Sequence, residues 1–350
     1  MKNNKKQNTE LPELTENTTE VVVLEQQPEN NIEEAVIIPD QPEEKNLPFL
    51  ESNTNGVTME HLKKECIIPV FAKDNELTIS HQEFIEAVYD AAHDFYKGEG
   101  IGTPLIRVSH IIKGRTPEAI HKRTEELLPS DKTMYYSRMA FNIEVSTIRE
   151  NLFGDNLTLS ISGCRSYEKD NLGGKLTAQK FSLAVGFLNK VCSNQCLTTN
   201  GYKEEIKVSN TSALYQSALE LFDQYNVAKH IHLMQSFGEA YLSEHQFCQI
   251  LGRMRLYNYL SLEDQRALPR LLITDSQINS VAKHYLCDEN FAGERNQGIS
   301  MWKFYNLITG ANKNSYIDSF LSRSANATAT CEGITKALTD EDKEFSWFLE

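Results

Sequence analysis

The sequence predicts an α+β fold. Antiparallel strands occupy the first half of the folded body, helices dominate the second half, and a disordered acidic leader precedes both. Between residues 135 and 163 apolar and polar residues alternate, which is the period of half-buried strands. After residue 206 the apolar residues recur at helical spacing. Residues 1–60 contain five of the ten prolines and a single aromatic residue, Phe49, so they cannot bury enough apolar surface to offset the entropy of ordering.

The composition excludes several classes of protein. Of 350 residues, 40% are hydrophobic and 24% are charged, as in ordinary soluble globular proteins. No segment approaches the roughly 18 consecutive apolar residues of a membrane span, so we expect no membrane association. The basic start at Met1–Lys6 has no apolar segment behind it, which argues against a signal peptide. Seven scattered cysteines are typical of reduced thiols, and we expect a cytoplasmic location.

The net charge of −14 belongs to the two ends of the chain. Residues 1–60 carry −9, residues 340–350 carry −4, and residues 61–339 carry −1. Acidity repels nucleic acid, but here the repulsive charge lies on segments that can move away. The sequence therefore leaves a nucleic-acid partner open.

The chain divides into four predicted parts: a leader (1–60), a mixed α/β part (61–205), a helical part (206–339) and an acidic aromatic tail (340–350). The second and third parts form one domain or two. Within the leader, the apolar segments 21–24 and 35–38 are either motifs that pair with a partner protein or a linker with incidental β-formers. The tail either docks on a partner protein or folds back on the core.

Individual elements follow in chain order. A capping box at Ser80 and Glu83 predicts a helix start, and Gly98 follows its end. Strands are predicted over 135–145 and 157–162, joined by a turn at 154–156 as an antiparallel pair. Further helices are predicted over 214–225, after Ser243, after Thr274, and from Ser300 to a Gly310 C-cap; the apolar stripes of these helices are core residues.

The segment Arg107–Arg123 is the best candidate for binding chemistry, because it holds five Lys or Arg residues and one acid. Thr116 and Pro117 predict a helix start, which would place Lys113 and Arg115 beside free N–H groups that bind phosphate. The alternative is a solvated helix whose Lys122 and Arg123 pair with nearby glutamates. The residues predicted to contact phosphate or nucleic acid are Arg107, His110, Lys113, Arg115, Lys122, Arg123 and Arg138, with Lys313 and Arg323 near the C-terminus.

Other motifs predict little chemistry. Cys192 and Cys196, or His230 and His232, could bind zinc, but their spacing matches no standard site, so buried thiols are favoured and no metal or other cofactor is expected. The sequence lacks GxSxG and HExxH motifs, and Gly173–Leu176 departs from a phosphate loop. Residues 302–318 interleave aromatics with Lys and Asn, and Arg323 follows. Either they stack bases and hold phosphates, or they form a capped helix, a turn and a second helix.

Three segments together resemble a known family: Ser109–Ala119, Val191–Cys196, and Trp302–Asp318 with its Thr-Gly-Ala-Asn-Lys core. They are similar to domain of unknown function 3871, an uncharacterised family of Bacteroides-type bacteria that often occurs in mobile elements. The segments Val191–Asn194 and Asn306–Gly310 also resemble the wider phage/plasmid-like protein family. The resemblance covers roughly residues 60–350. It implies a cytoplasmic protein of a mobile element and supplies no catalytic residues.

The leading functional prediction is a non-enzymatic accessory protein of a plasmid, phage or conjugative element that binds DNA or RNA through a basic surface. Its acidic leader would compete with nucleic acid or recruit a partner. The alternative is a protein–protein adaptor or inhibitor that docks through residues 21–38 or 340–350. An enzyme acting on a phosphorylated ligand is the third possibility.

Overall fold

A computed structural model describes residues 48–66, 78–170, 178–339 and 343–350. The predictions for residues 1–47, including both apolar segments of the leader, concern residues outside these ranges. Within the described part of the chain, no helix combines the length and apolarity needed to cross a bilayer.

Strands dominate the first half of the described chain, and helices dominate the second. The strands are β1 (Asn55–Val57), β2 (Leu105–Val108), β3 (Ile111–Arg115), β4 (Lys132–Tyr136), β5 (Arg138–Leu152), β6 (Asp155–Ser166), β7 (Gln179–Asn189), β8 (Asn194–Val208), β9 (Tyr241–Ser243) and β10 (Gly298–Ser300). The helices are α1 (Met59–Glu65), α2 (His81–Phe95), α3 (Thr211–Gln224), α4 (Val227–Glu239), α5 (Glu244–Tyr257), α6 (Leu262–Arg266), α7 (Asp275–Cys287), α8 (Met301–Asn312) and α9 (Ile317–Leu338).

Six strands form one antiparallel sheet in the order β1-β2-β5-β6-β7-β8. The predicted antiparallel pair is β5 with β6, where Ile143 lies opposite Ile161. The sequence did not indicate β7 and β8, which pair beside them. Two-stranded sheets join β3 to β4 and β9 to β10. With α3 to α9 following the sheet, the predicted α+β class is confirmed.

Helices cover both faces of this sheet. On one face, the ring of Phe141 lies 5.1 Å from that of Phe84 on α2. Gly163 on β6 allows this approach, because a Cβ there would collide with both rings. The next side chain along β5, Ala140, points to the opposite face, where it joins a buried cluster with Phe320 of α9. The sheet therefore lies between α2 and α9.

Four predicted helix starts are confirmed, those at Ser80, Ser243, Thr274 and Ser300. Ser80 accepts a hydrogen bond from the backbone N–H of Glu83, whose carboxylate accepts one from the N–H of Ser80, and α2 follows. The same exchange begins α5, and at the start of α7 the backbone N–H of Thr274 donates to the side chain of Gln277. Helix α8 begins after Ser300 as predicted, but it continues to Asn312, so Gly310 lies within the helix and not at its C-cap.

The helix predicted to begin at Thr116 is absent. Residues Pro117–Ala119 form a single 3₁₀ turn inside the long connection between β3 and β4. Side chains from the strand ends shape this connection: Arg115 donates to the carbonyl of Lys122 at 2.6 Å, and Asp131 accepts from the Lys122 ammonium at 2.8 Å. These side-chain hydrogen bonds, and not the backbone hydrogen bonds of a helix, hold the connection in place. The predicted phosphate site at a helix N-terminus therefore has no helix to support it.

Both ends of the described chain belong to the core. Phe49 is 2% exposed and Leu50 is fully buried, so folded chain begins by residue 48 and not at residue 61. At the other end Phe348 is fully buried, and the guanidinium of Arg253 lies 5.0 Å from the Trp347 ring. Residues 343–350 of the tail therefore fold back on the core, which is one of the two alternatives that the sequence left open.

Candidate functional site

Several of the predicted phosphate-binding residues hold the fold together. Arg107 donates to the side chain and carbonyl of Thr54, at 2.9 and 2.7 Å, and so fastens the segment before β1. Lys313 is 8% exposed, donates to the carbonyl of Cys192, and lies 3.7 Å from Glu51. Arg115 and Lys122 hold the β3–β4 connection, so these four predicted residues already have structural partners.

The β3–β4 pair presents the cations that remain at the surface. Lys113 on β3 and Arg123 in the connection are exposed, and neither side chain forms an ion pair or hydrogen bond with any residue that the structure describes. Lys132 on β4 is also exposed, directly opposite Arg115 in the strand register. The acids of the same connection, Glu118 among them, offset most of this charge.

A second group forms where α9 begins, around the exposed ring of Tyr316. Tyr316 is 66% exposed, and the guanidinium carbon of Arg138 lies 6.0 Å from the centre of its ring, within the range of a cation–π contact. Lys169 donates to the carbonyl of Asp318 at 2.8 Å and lies 3.8 Å from its carboxylate. Arg323 donates to Ser315 at 2.9 Å. We call Arg138, Lys169, Tyr316, Asp318 and Arg323 the Tyr316 surface.

The electrostatics of this surface keep Arg138 charged and oriented. Its Nη2 donates to the Glu168 carboxylate at 2.5 Å, and this bond is the main cause that raises the pKa of Arg138. The hydrogen bond from Arg138 is also the main cause that lowers the pKa of Glu168, and a hydrogen bond from Ser137 is the second. The nearby His110 lowers this pKa by a smaller electrostatic contribution. The Nε of Arg138 is buried and has no hydrogen-bond partner among the residues that the structure describes.

The structure thus brings together predicted residues that are distant in sequence. Arg138 from the first half meets Tyr316 from the second. His110 contributes electrostatically at Glu168, the carboxylate that pairs with Arg138, and Arg323 donates to Ser315, the residue before Tyr316. Sequence reasoning missed Lys169 as a member, since its contact with Asp318 spans 149 positions and leaves no local signal. It also missed Arg165, which is buried against Tyr167 and Phe181.

The metal-ligating candidates do not converge. His230 is buried and hydrogen-bonded to Tyr225, whereas His232 lies on the exposed side of α4. Burial raises the pKa of the Cys192 thiol to about 12, and all seven cysteines are free. Throughout the described ranges, no three His, Cys, Asp or Glu side chains come together as a metal site would require.

An apolar groove with a volume of about 640 Å³ lies beside β1, and the residues that line it include Val57, Met59, Leu105 and Ile106. Leu105 is 44% exposed there. Among the described strands β1 is at the edge of the large sheet, so the groove lies next to an open strand edge.

One family model matches the chain over residues 30–349, with the description "Domain of unknown function, B. Theta Gene description (DUF3871)". The match covers most of the sequence, so the chain belongs to this family. No curated protein and no solved structure matches it.

Proposed function

We propose that this member of the DUF3871 family is a cytoplasmic, non-enzymatic accessory protein of a mobile element that binds single-stranded nucleic acid at the Tyr316 surface. Tyr316 stacks on a base, while Arg138 and Lys169 contact the flanking phosphates. The mobile-element setting follows from the resemblance of Val191–Asn194 and Asn306–Gly310 to phage/plasmid-like proteins.

The exposed ring of Tyr316, with Arg138 beside it and Lys169 bound to Asp318 two positions further along the chain, is the observation that carries this proposal. A tyrosine that is 66% exposed contributes little to the stability of the core, and aromatic platforms beside basic side chains are typical of proteins that bind single strands. Arg138 and Lys169 are already oriented by Glu168 and Asp318, so phosphate binding would order few additional side chains. Lys113 and Arg123 on the β3–β4 connection offer further phosphate contacts.

Fluorescence anisotropy with labelled single- and double-stranded DNA and RNA tests the proposal on the full chain. Across a salt series, log affinity for a single strand should fall linearly with log salt, at about −0.7 per phosphate contacted. Tyr316→Ala should cost about 1–3 kcal/mol of binding free energy, the range measured for base stacking. Lys169→Ala should weaken binding and reduce the salt slope by about 0.7.

Two matched variants control for nonspecific effects. Tyr241→Ala removes another tyrosine that is 52% exposed, and Lys97→Ala removes another exposed lysine; both should leave the affinity unchanged. The proposal fails if no nucleic acid binds at low salt. It also fails if the control variants weaken binding as much as the variants of the Tyr316 surface do.

A protein adaptor is the second candidate, and the apolar groove beside β1 favours it. The open edge of β1 can pair with an extended peptide, while Leu105 and Met59 receive its alternate apolar side chains. The partner with this chemistry is a peptide strand of alternating apolar residues. Leu105→Asp should abolish binding of such a peptide in fluorescence polarisation, and unchanged binding would exclude the groove.

A further inference from the structure

A small polar cavity opens between β8, α4 and α9. Its volume is about 100 Å³. Thr198, His230 and Thr328 line it and are buried, whereas Thr199, Asn200 and Lys229 line it and are exposed. The cavity therefore has a buried floor and a mouth that reaches solvent.

The floor contains an imidazole with one unused nitrogen. His230 is 1% exposed, and its Nδ1 lies 2.7 Å from the hydroxyl of Tyr225. Phe187 packs against the ring, with centroids 5.6 Å apart. The other ring nitrogen, Nε2, is buried and has no hydrogen-bond partner within the described ranges of the chain. A buried polar atom of this kind costs free energy unless a water molecule or a ligand satisfies it.

The hydrogen-bonding of Tyr225 decides which nitrogen of His230 carries the proton. Tyr225 is 7% exposed, and among the described residues Nδ1 of His230 is the one hydrogen-bond partner of its hydroxyl. If Nδ1 were protonated, the tyrosine hydrogen would be buried without an acceptor. Tyr225 therefore donates to Nδ1, and Nε2 bears the hydrogen. Burial lowers the pKa of His230 to about 3, so the ring is neutral at pH 7.

The remaining polar groups restrict the chemistry of a ligand. Thr198 donates its hydroxyl hydrogen to Asn200 at 2.5 Å, and Thr328 can donate to the carbonyl of Ser324 at 3.3 Å. The donors left for a ligand are Nε2–H of His230, the ammonium of exposed Lys229 and the side-chain amide of exposed Asn200. Glu332 at the rim forms an ion pair with Lys336 at 2.7 Å. Neutral N–H groups and one cation suit a monoanion better than a phosphate dianion.

We propose that this cavity binds a single carboxylate group, which accepts hydrogen bonds from Nε2 of His230 and from Lys229. A volume of about 100 Å³ equals roughly three water molecules in the liquid, so it admits a carboxylate with a short alkyl stem. The group belongs to a small organic acid or to the C-terminus of a peptide. This site does not depend on nucleic-acid binding.

A titration of the full chain followed by ¹H–¹⁵N NMR of the histidine rings tests the proposal. Sodium acetate is the ligand, and sodium chloride at equal ionic strength is the control. We expect a saturable shift of the His230 Nε2 resonance with acetate and none with chloride; His230→Gln assigns the signal by removing it. Formate and propionate, and one short peptide with a free or an amidated C-terminus, distinguish the two sources of the carboxylate.

Variants of the exposed lysine keep the test independent of folding. Lys229→Met should weaken acetate binding about tenfold, the loss typical of a charge-assisted hydrogen bond, while Lys97→Met should leave it unchanged. The proposal is overturned if acetate and chloride give the same linear shift, because the cavity then holds water alone. It is equally overturned if acetate binds the Lys229→Met variant as tightly as the native chain.

Discussion

Replacing Asp170 with asparagine should destabilise the protein more than most single substitutions, because it removes the counter-charge of a buried guanidinium. The side chains of Arg165 and Asp170 are 0% and 1% exposed, and Nη2 lies 2.9 Å from Oδ2. Arg165 also donates to Gln179 and to the carbonyl of Ile79. Its guanidinium carbon lies 4.5 Å from the centre of the Tyr167 ring. Water cannot replace the lost carboxylate in this environment.

The magnitude follows from the burial of both charges. Removing one partner of a buried ion pair costs about 3–5 kcal/mol, since the other charge stays desolvated. Asp170→Asn leaves the guanidinium without a carboxylate among the residues that the structure describes. Within the same residues, Arg165→Met leaves a carboxylate that accepts from the backbone N–H of Lys180, at 2.8 Å. Each single change should therefore lower the free energy of unfolding by about 3–5 kcal/mol, a large share of a typical 5–15 kcal/mol.

The double variant Arg165→Met/Asp170→Asn separates pairing from packing. It buries no net charge, and the amide introduced at position 170 still offers an oxygen to the backbone N–H of Lys180. We expect its cost to fall short of the sum of the single costs by about 2–3 kcal/mol. Urea unfolding followed by circular dichroism at pH 7 measures all three variants. Single costs below about 1 kcal/mol, or costs that add within about 0.5 kcal/mol, would refute the reasoning.

Four further predictions concern other buried or open positions. Burial lowers the pKa of His81 and His230 from 6.5 to about 3, so as the pH falls the unfolded chain binds protons on these histidines before the folded chain does. The free energy of unfolding should therefore be greatest above pH 6.5 and fall by up to about 1.4 kcal/mol per pH unit for each histidine below it. Urea midpoints measured between pH 7.5 and 4.5 test this. Phe49→Ala should cost about 3–5 kcal/mol in urea unfolding, and a loss under about 1 kcal/mol would place residues 48–50 outside the core. Gly186→Ala should cost about 1–3 kcal/mol of stability, because the added Cβ would collide with a backbone oxygen of the neighbouring strand. Gly252 in α5 has open space around it, so Gly252→Ala should instead stabilise the protein by about 0.5–1 kcal/mol and raise the melting temperature.

Elements with strong local signals were predictable. The capping box at Ser80 involves residues three positions apart, and the alternation in β5 repeats every two residues, so neighbours in sequence carry the information. By contrast β7 is buried on both faces along most of its length. Because the apolar residues of β7 do not alternate with polar ones, the sequence lacks the two-residue period that would indicate a strand.

The candidate site was predictable only in part. Basic side chains could be recognised as a class, but their roles depend on partners far away in the sequence. Arg107 binds Thr54 and Arg138 binds Glu168, each across the fold. The cavity at His230 had no signal at all, because β8, α4 and α9 meet there only after folding.

Composition and local pattern were enough to establish the α+β class, the helix starts with their caps, and the separation of the acidic ends from a near-neutral body. These properties depend on residue content and on contacts within a few residues. The packed fold was needed to establish that Thr116 begins a turn and not a helix, which cations remain free of structural partners, and where Tyr316 meets Arg138. Those outcomes depend on side chains that are distant in sequence and become neighbours when the sheet and α9 pack together.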